Sequence, residues 1–110
     1  MAGVNKVILV GNLGKDPEVR YLEGGTAVAK FSLATSESYK DKTGKKVDQT
    51  EWHNIVLWRG LAEVAEKYLK KGNEICIEGR LMHRVYETNG EKRFITEINV
   101  NELLMLGAKN

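Results

Sequence analysis

Leu61-Ala62-Glu63-Val64-Ala65-Glu66-Lys67-Tyr68-Leu69-Lys70-Lys71-Gly72 is the one stretch of this chain that reads as a helix, and its position among strand patterns decides the fold. Leu61, Val64, Ala65, Tyr68 and Leu69 fall at i, i+3, i+4, i+7 and i+8, a single apolar stripe. Glu63 and Lys67, like Glu66 and Lys70, are favourable i,i+4 pairs, and Lys70 and Lys71 sit at the negative end of the helix dipole. Gly72 supplies a left-handed stop. N-terminal to the helix, residues 4–10 form a nearly continuous Val- and Ile-rich run, expected to be a strand buried on both faces. Gly11 and Gly14 bracket its end, and Asp16-Pro17 marks a turn or edge. Residues 26–35 alternate, a polar glycine-bearing loop follows at 40–46, and residues 50–58 read as a third strand. After the helix, residues 74–86 read as a long strand, Thr88-Asn89-Gly90-Glu91 as a hairpin tip, and residues 93–106 as a last strand. Three strands, one helix and two more strands predict an all-β domain: a five-stranded Greek-key barrel of the oligonucleotide/oligosaccharide-binding (OB) type, with its helix between strands three and four. Closure into a barrel also removes the exposed edges that an open sheet would leave.

Composition bounds the rest. At 110 residues, 42% hydrophobic and 29% charged, the chain has the balance of one globular domain, and no stretch approaches a membrane span. The opening residues lack a signal peptide's apolar core, and one cysteine makes neither an internal disulfide nor a cysteine-based zinc site. A soluble protein of a reducing cytoplasm is expected. Seventeen Lys and Arg against fifteen Asp and Glu give a net charge of +2, so the sum of charges argues for no partner and their placement must.

Side chains alternate across a strand, so parity assigns faces. His53, Ile55 and Leu57 share one parity, and Trp52, Asn54, Val56 and Trp58 the other. Ile75, Ile77, Leu81 and Val85 share a parity expected to face the core, opposite Arg80, Met82, Arg84 and Tyr86. Two tryptophans and a tyrosine interleaved with Lys30, Arg80 and Arg84 are thereby placed on the barrel's outside. Aromatic platforms amid positive charge suit single-stranded nucleic acid, whose bases stack on π-faces while cations track the phosphates. Tyr39, beside the lysine-rich loop, extends that path. A one-residue slip would turn Trp58 inward and expose Ile55 and Leu57. The loop lysines also suit a merely solubilising hairpin tip. Phe31 is expected in the core, and Phe94 is undecided. No metal-ligating pair and no activated nucleophile stands out: His53 and His83 are isolated, Cys76 sits mid-strand, and Gly11-Asn12-Leu13-Gly14 reads as a strand-end kink. No enzymatic activity and no cofactor are expected.

Residues 4–21, with Leu33-Ala34-Thr35-Ser36-Glu37-Ser38, Thr50-Glu51-Trp52-His53, Leu61-Ala62-Glu63-Val64-Ala65 and Tyr68-Leu69-Lys70-Lys71-Gly72, resemble the bacterial single-stranded DNA-binding protein family over essentially the whole chain. The resemblance implies a homotetramer of OB domains around which single-stranded DNA wraps during replication, recombination and repair. It places the family's stacking aromatics at Tyr39, Trp52, Trp58 and Tyr86, its phosphate contacts at Lys6, Lys42, Lys71 and Arg84, and a subunit-association histidine at His53. At 39 and 86 well-known members carry tryptophan, so weaker stacking is implied there. Arg59-Gly60 stands where the family often has Gly-Lys. The expected OB domain covers residues 1–107, with a short C-terminal remnant at 108–110 in place of the family's acidic tail, so recruitment of replication and repair proteins through such a tail is not implied. A bacterial, nucleoid-associated location is implied. The alternatives are a primosome-type OB paralogue, or a structural OB subunit that meets protein or RNA.

Overall fold

The computed structural model describes residues 2–106, so the remnant expected at 108–110 lies outside the described residues. Six strands and one helix occur in the order β1 (Val7–Leu13), β2 (Glu18–Tyr21), β3 (Ala27–Lys40), β4 (Lys46–Trp58), α1 (Gly60–Tyr68), β5 (Glu74–Thr88) and β6 (Glu91–Leu106). The sheet runs β1-β5-β6-β4-β3-β2, and β1 pairs with β3 as well as β5, so β1, β3, β4, β5 and β6 close into the five-stranded barrel. The short β2 was not expected and lies on the outer edge of β3. Counting it, the helix falls between strands four and five of the chain, although it still follows the third barrel strand.

Closure depends on two close approaches. Just past Gly11, β1 pairs with β3 while still in register with β5 at Asn12, and a Cβ on Gly11 would collide with the Ala34 carbonyl. Opposite Gly79, β6 carries one extra residue: Glu78 pairs with Glu102 and Gly79 with Val100, skipping Asn101. A Cβ on Gly79 would strike the Asn99 carbonyl, so the bulge needs glycine as its partner.

The core is built from Leu13, Ala29, Phe31, Leu33, Ile55, Leu57, Ile75, Ile77, Ile98 and Val100, with Ala62, Ala65 and Leu69 of the helix segment closing one end. The helix is shorter than its stripe suggests. It ends at Tyr68 because Leu69 turns extended to bury its side chain, and the left-handed Gly72 belongs to the following turn, where Asn73 Oδ1 accepts from the Lys70 N–H. Arg59 enters the helix at φ 55° and ψ −122°, held there as its N–H donates to Ala27 O and its carbonyl accepts from Glu63 N–H.

Two expectations about burial are corrected. The run at residues 4–10 is not buried on both faces: Val7 and Leu9 pack on the core, but Val4, Ile8 and Val10 are exposed, Ile8 by 60%. A single copy of the chain has no layer to cover that side of β1. Leu81 and Val85 share the core parity yet are exposed. At about 3.3 Å per residue, the 15- and 16-residue strands β5 and β6 outrun the barrel, and their far ends stand out as a two-stranded arm with no layer beneath them. The distal parts of β3 and β4 form a second arm. It is laced by Ser36–Thr50 and Ser38–Asp48 hydrogen bonds, and Asp41 Oδ1 accepts from three groups of its turn.

Candidate nucleic-acid interface

The outward parity of β4 meets the outward parity of β6 along the barrel wall. Both indoles face solvent, Trp52 exposed by 60% and Trp58 by 43%. From Trp58 runs a groove made of two adjoining recesses of about 600 and 220 Å³, which share Glu18, Lys30, Val56, Arg84 and Glu97. Trp58, Asn99 and Arg20 line one end, and Asn54, Ser32 and Lys15 the other. Trp52 lies two residues before Asn54 on the same side of β4. Its ring covers Gly14, where an added Cβ would overlap Cζ3 and stand 2.9 Å from Cη2. Gly14 is thus more than a strand-end kink: its missing side chain is the seat of an exposed indole. The six residues from Trp52 to Trp58 set the rings about 20 Å apart along the strand.

Each groove side chain has a visible anchor. Trp58 Nε1–H donates to Asn99 Oδ1 at 3.1 Å, which fixes the ring plane against β6. Arg84 donates through Nε and Nη2 to the two carboxylate oxygens of Glu97, at 3.3 and 2.8 Å, and Lys30 Nζ stands 3.8 Å from the same carboxylate. Both cations are half-exposed, whereas Glu97 is only 8% exposed and forms the groove floor. The Arg84 hydrogen bonds hold the Glu97 carboxyl below its usual range, against burial that pushes it up. The Arg84 guanidinium carbon also lies 6.0 Å from the centre of the Tyr86 ring, within cation–π reach.

Lys30, Trp58 and Arg84 are therefore brought together, with Tyr86 one step along the β5–β6 arm and Arg80 in register with Asn99. Tyr39 is exposed on the β3–β4 arm, and Lys42 lies in the turn at its tip. Lys71 follows the helix in the turn where its backbone N–H donates to Asp16 Oδ1. Lys6 does not line the groove and instead pairs with Glu78 of β5 at 3.2 Å. His53 is half-buried, joined to Thr35 Oγ1 at 2.9 Å across the β3–β4 ladder. Phe31 is buried as expected, and Phe94 is exposed on the face of the arm opposite Tyr86. Glu97 and Asn99 were missed from sequence. Extending the parity reading into residues 93–100 would have placed both on one face, although only the register shows which β5 residues they meet. Among the described residues, no group of three or more His, Cys, Asp or Glu could hold a metal, and no helix is long and apolar enough to cross a membrane.

Comparison with known proteins agrees with this geometry. The chain is 52% identical over 108 residues to the single-stranded DNA-binding proteins of Neisseria meningitidis serogroups A and B, covering 97% of this chain and 62% of theirs. It thus spans less than two-thirds of the length of the curated relatives it matches. Among solved structures, the SSB of Plasmodium falciparum in complex with ssDNA superposes with a TM-score of 0.88 at 36% identity, covering 96% of this chain and 97% of that one. A deletion variant of the single-stranded DNA-binding protein from Thermus aquaticus superposes with a TM-score of 0.84 at 32% identity, covering 97% of this chain and 52% of that one. The profile of the single-strand binding protein family matches residues 4–106, nearly the whole length, and the chain belongs to that family.

Proposed function

We propose that this chain binds single-stranded DNA without regard to sequence, by stacking bases on Trp52, Trp58, Tyr86 and Tyr39 while Lys30 and Arg84 meet the phosphates. The observation that carries the reading is the groove itself, with half-exposed cations along it, the exposed Trp58 indole at one end, and exposed Trp52 two residues before the Asn54 that lines the other. Stacking on a π-face is worth about 1–3 kcal/mol per base and does not discriminate among bases, because every base has such a face. The superposable Plasmodium falciparum protein was solved in complex with ssDNA, which supports DNA as the ligand. Lys42, Lys71 and Arg80 extend the cationic path beyond the groove. Binding alone is the activity, in service of replication, recombination and repair in a bacterial cytoplasm.

Self-association belongs to the same reading. Val10 of β1, Cys76 of β5 and Leu104 of β6 stand in register on one outer face, Leu104 62% exposed, with Ile8 at its edge beside Glu78. A contiguous apolar face of this kind on a small barrel suits burial against a second copy. A homotetramer is the proposed assembly, to be checked by light scattering, with a monomeric mass refuting it. For DNA binding, the test is titration with oligo-dT while tryptophan emission is followed. Stacking on Trp52 and Trp58 quenches the emission, and affinity falls as salt rises through counterion release. Unchanged emission at saturating oligonucleotide would refute the reading.

A further inference from the structure

Glu97 is the only charged residue buried among the described residues, and it sits in the floor of a groove read here as binding a polyanion. Barrel stability gives no reason for a charge at this point. Its neighbours on the same face, Asn99 and Ile95, are uncharged, and a buried ion pair is weak support for a fold. Its position is better explained by what it holds. Both carboxylate oxygens accept from Arg84, and Lys30 is close enough to share the charge. The two side chains proposed to meet phosphate therefore already face an anion when the groove is empty.

We propose that Glu97 is a resident competitor for DNA phosphate: it keeps Arg84 and Lys30 ordered over the groove and lowers the affinity and salt dependence of binding by neutralising part of their charge. This inference rests on the phosphate roles given above to Arg84 and Lys30. Arg84 spends Nε–H and one Nη2–H on the carboxylate, so three of its five N–H donors stay free to meet phosphate from the exposed side. A phosphate arriving there shares the guanidinium with Glu97, and the like charge beneath opposes it. The cluster Lys30–Arg84–Glu97 carries a net charge of +1, and an isosteric amide at 97 makes it +2 while preserving an oxygen for Arg84.

The experiment compares oligo-dT affinity across a salt series for the full chain and three variants. Glu97→Gln is expected to bind about tenfold more tightly at low salt, a change of about 1.4 kcal/mol. Its log–log salt slope steepens by up to about 0.7, the contribution of one further phosphate neutralised on a single strand. Arg84→Gln is expected to bind more weakly with a shallower slope; if it changes neither, the phosphate reading of the groove falls and this inference with it. If Arg84→Gln weakens binding but Glu97→Gln binds equally or more weakly than the unaltered chain, the competitor role alone is overturned and Glu97 is only a positioning residue for Arg84. The double variant Arg84→Gln/Glu97→Gln buries no charge, and a thermal melt of each variant establishes that it is folded before affinities are compared. The double variant is expected to bind more tightly than Arg84→Gln, and parity between those two would also overturn the proposal.

Discussion

Gly14 offers a way to disturb one stacking platform without touching an aromatic or a charge. Its backbone φ lies outside the left-handed region, so alanine is conformationally acceptable there, and replacing glycine at a compatible site stabilises a fold by about 0.4–1 kcal/mol. The new methyl, however, would overlap Trp52 Cζ3 and stand 2.9 Å from Cη2, where carbon atoms normally keep about 3.5 Å or more. The indole must move by about 1 Å or more, or leave its seat altogether. Trp52 is exposed, so that movement costs the core nothing. A ring displaced from the line of the groove loses part or all of one stacking contact worth about 1–3 kcal/mol, a five- to roughly 140-fold loss of affinity, with the lower end expected for a tilt. Gly14→Ala should therefore weaken oligo-dT binding by about fivefold or more while its Tm holds or rises. The assay is fluorescence titration beside a thermal melt, repeated in a Trp52→Ala background, where Gly14→Ala should have no further effect on affinity. Gly14→Ala that binds within twofold of the unaltered chain, or that still weakens binding without the indole, would refute the reasoning.

Two other predictions concern stability. Exchanging two neighbours, Arg59→Gly with Gly60→Arg, keeps composition and charge but gives the positive φ at 59 to glycine; Gly60 has no positive φ and open space around it. Relief of the left-handed arginine (about 1–3 kcal/mol) and of a glycine in the first helical turn (about 0.5–1 kcal/mol) should together raise stability by about 2 kcal/mol. That is roughly 8 °C in Tm, and a melt without a rise would count against it. The Glu97 carboxyl is depressed by Arg84, so its ionisation contributes stability that is complete above the unfolded pKa of about 4.3 and lost as pH falls through the lower folded value. In melts from pH 7 to 2.5, the unaltered chain should lose more Tm on acidification than Glu97→Gln, and parallel curves would show that the clasp does not form in solution.

The barrel order was legible because its strongest local signals are also its tertiary ones. Leu61, Ala65 and Leu69 of the helical stripe pack over one end of the core, although Tyr68 is exposed and Ala62, outside the stripe, is buried; Asn89-Gly90, with φ of 52° and 77°, makes the two-residue turn that its sequence implies. The strand β2 was not legible because its four residues offer only Val19 to the core. The β3–β4 arm extends through Ser36, Ser38 and Asp48, where no apolar alternation marks a strand and the backbone ladder with polar cross-strand pairs does the holding. The two-sided apolar run of β1 misled for a different reason. Hydrophobicity registers that a face is to be covered, not whether the same chain covers it. At the site, outward aromatics could be read from parity, but Gly14 under Trp52 and Glu97 under Arg84 are contacts between segments far apart in the chain.

The extra residue in β6 joins the fold to the groove. Leu103 and Met105 pack on the core at odd positions, whereas Ile98 and Val100 pack on it at even ones, so the two halves of one strand have opposite parity. A regular strand cannot satisfy both. With Asn101 skipped, the pairing passes from Glu78–Glu102 to Gly79–Val100 and the faces exchange at that point. Beyond it, odd positions face outward, and this is what sets Asn99 beside Trp58 and Glu97 beneath Arg84. The same step leaves Leu104 on the outer apolar face with Ile8 and Val10. One bulge, made possible by the bare Cα of Gly79, thus lets a single strand serve the core along its length. It also lets that strand present a polar floor to the groove at one end and an exposed apolar surface at the other.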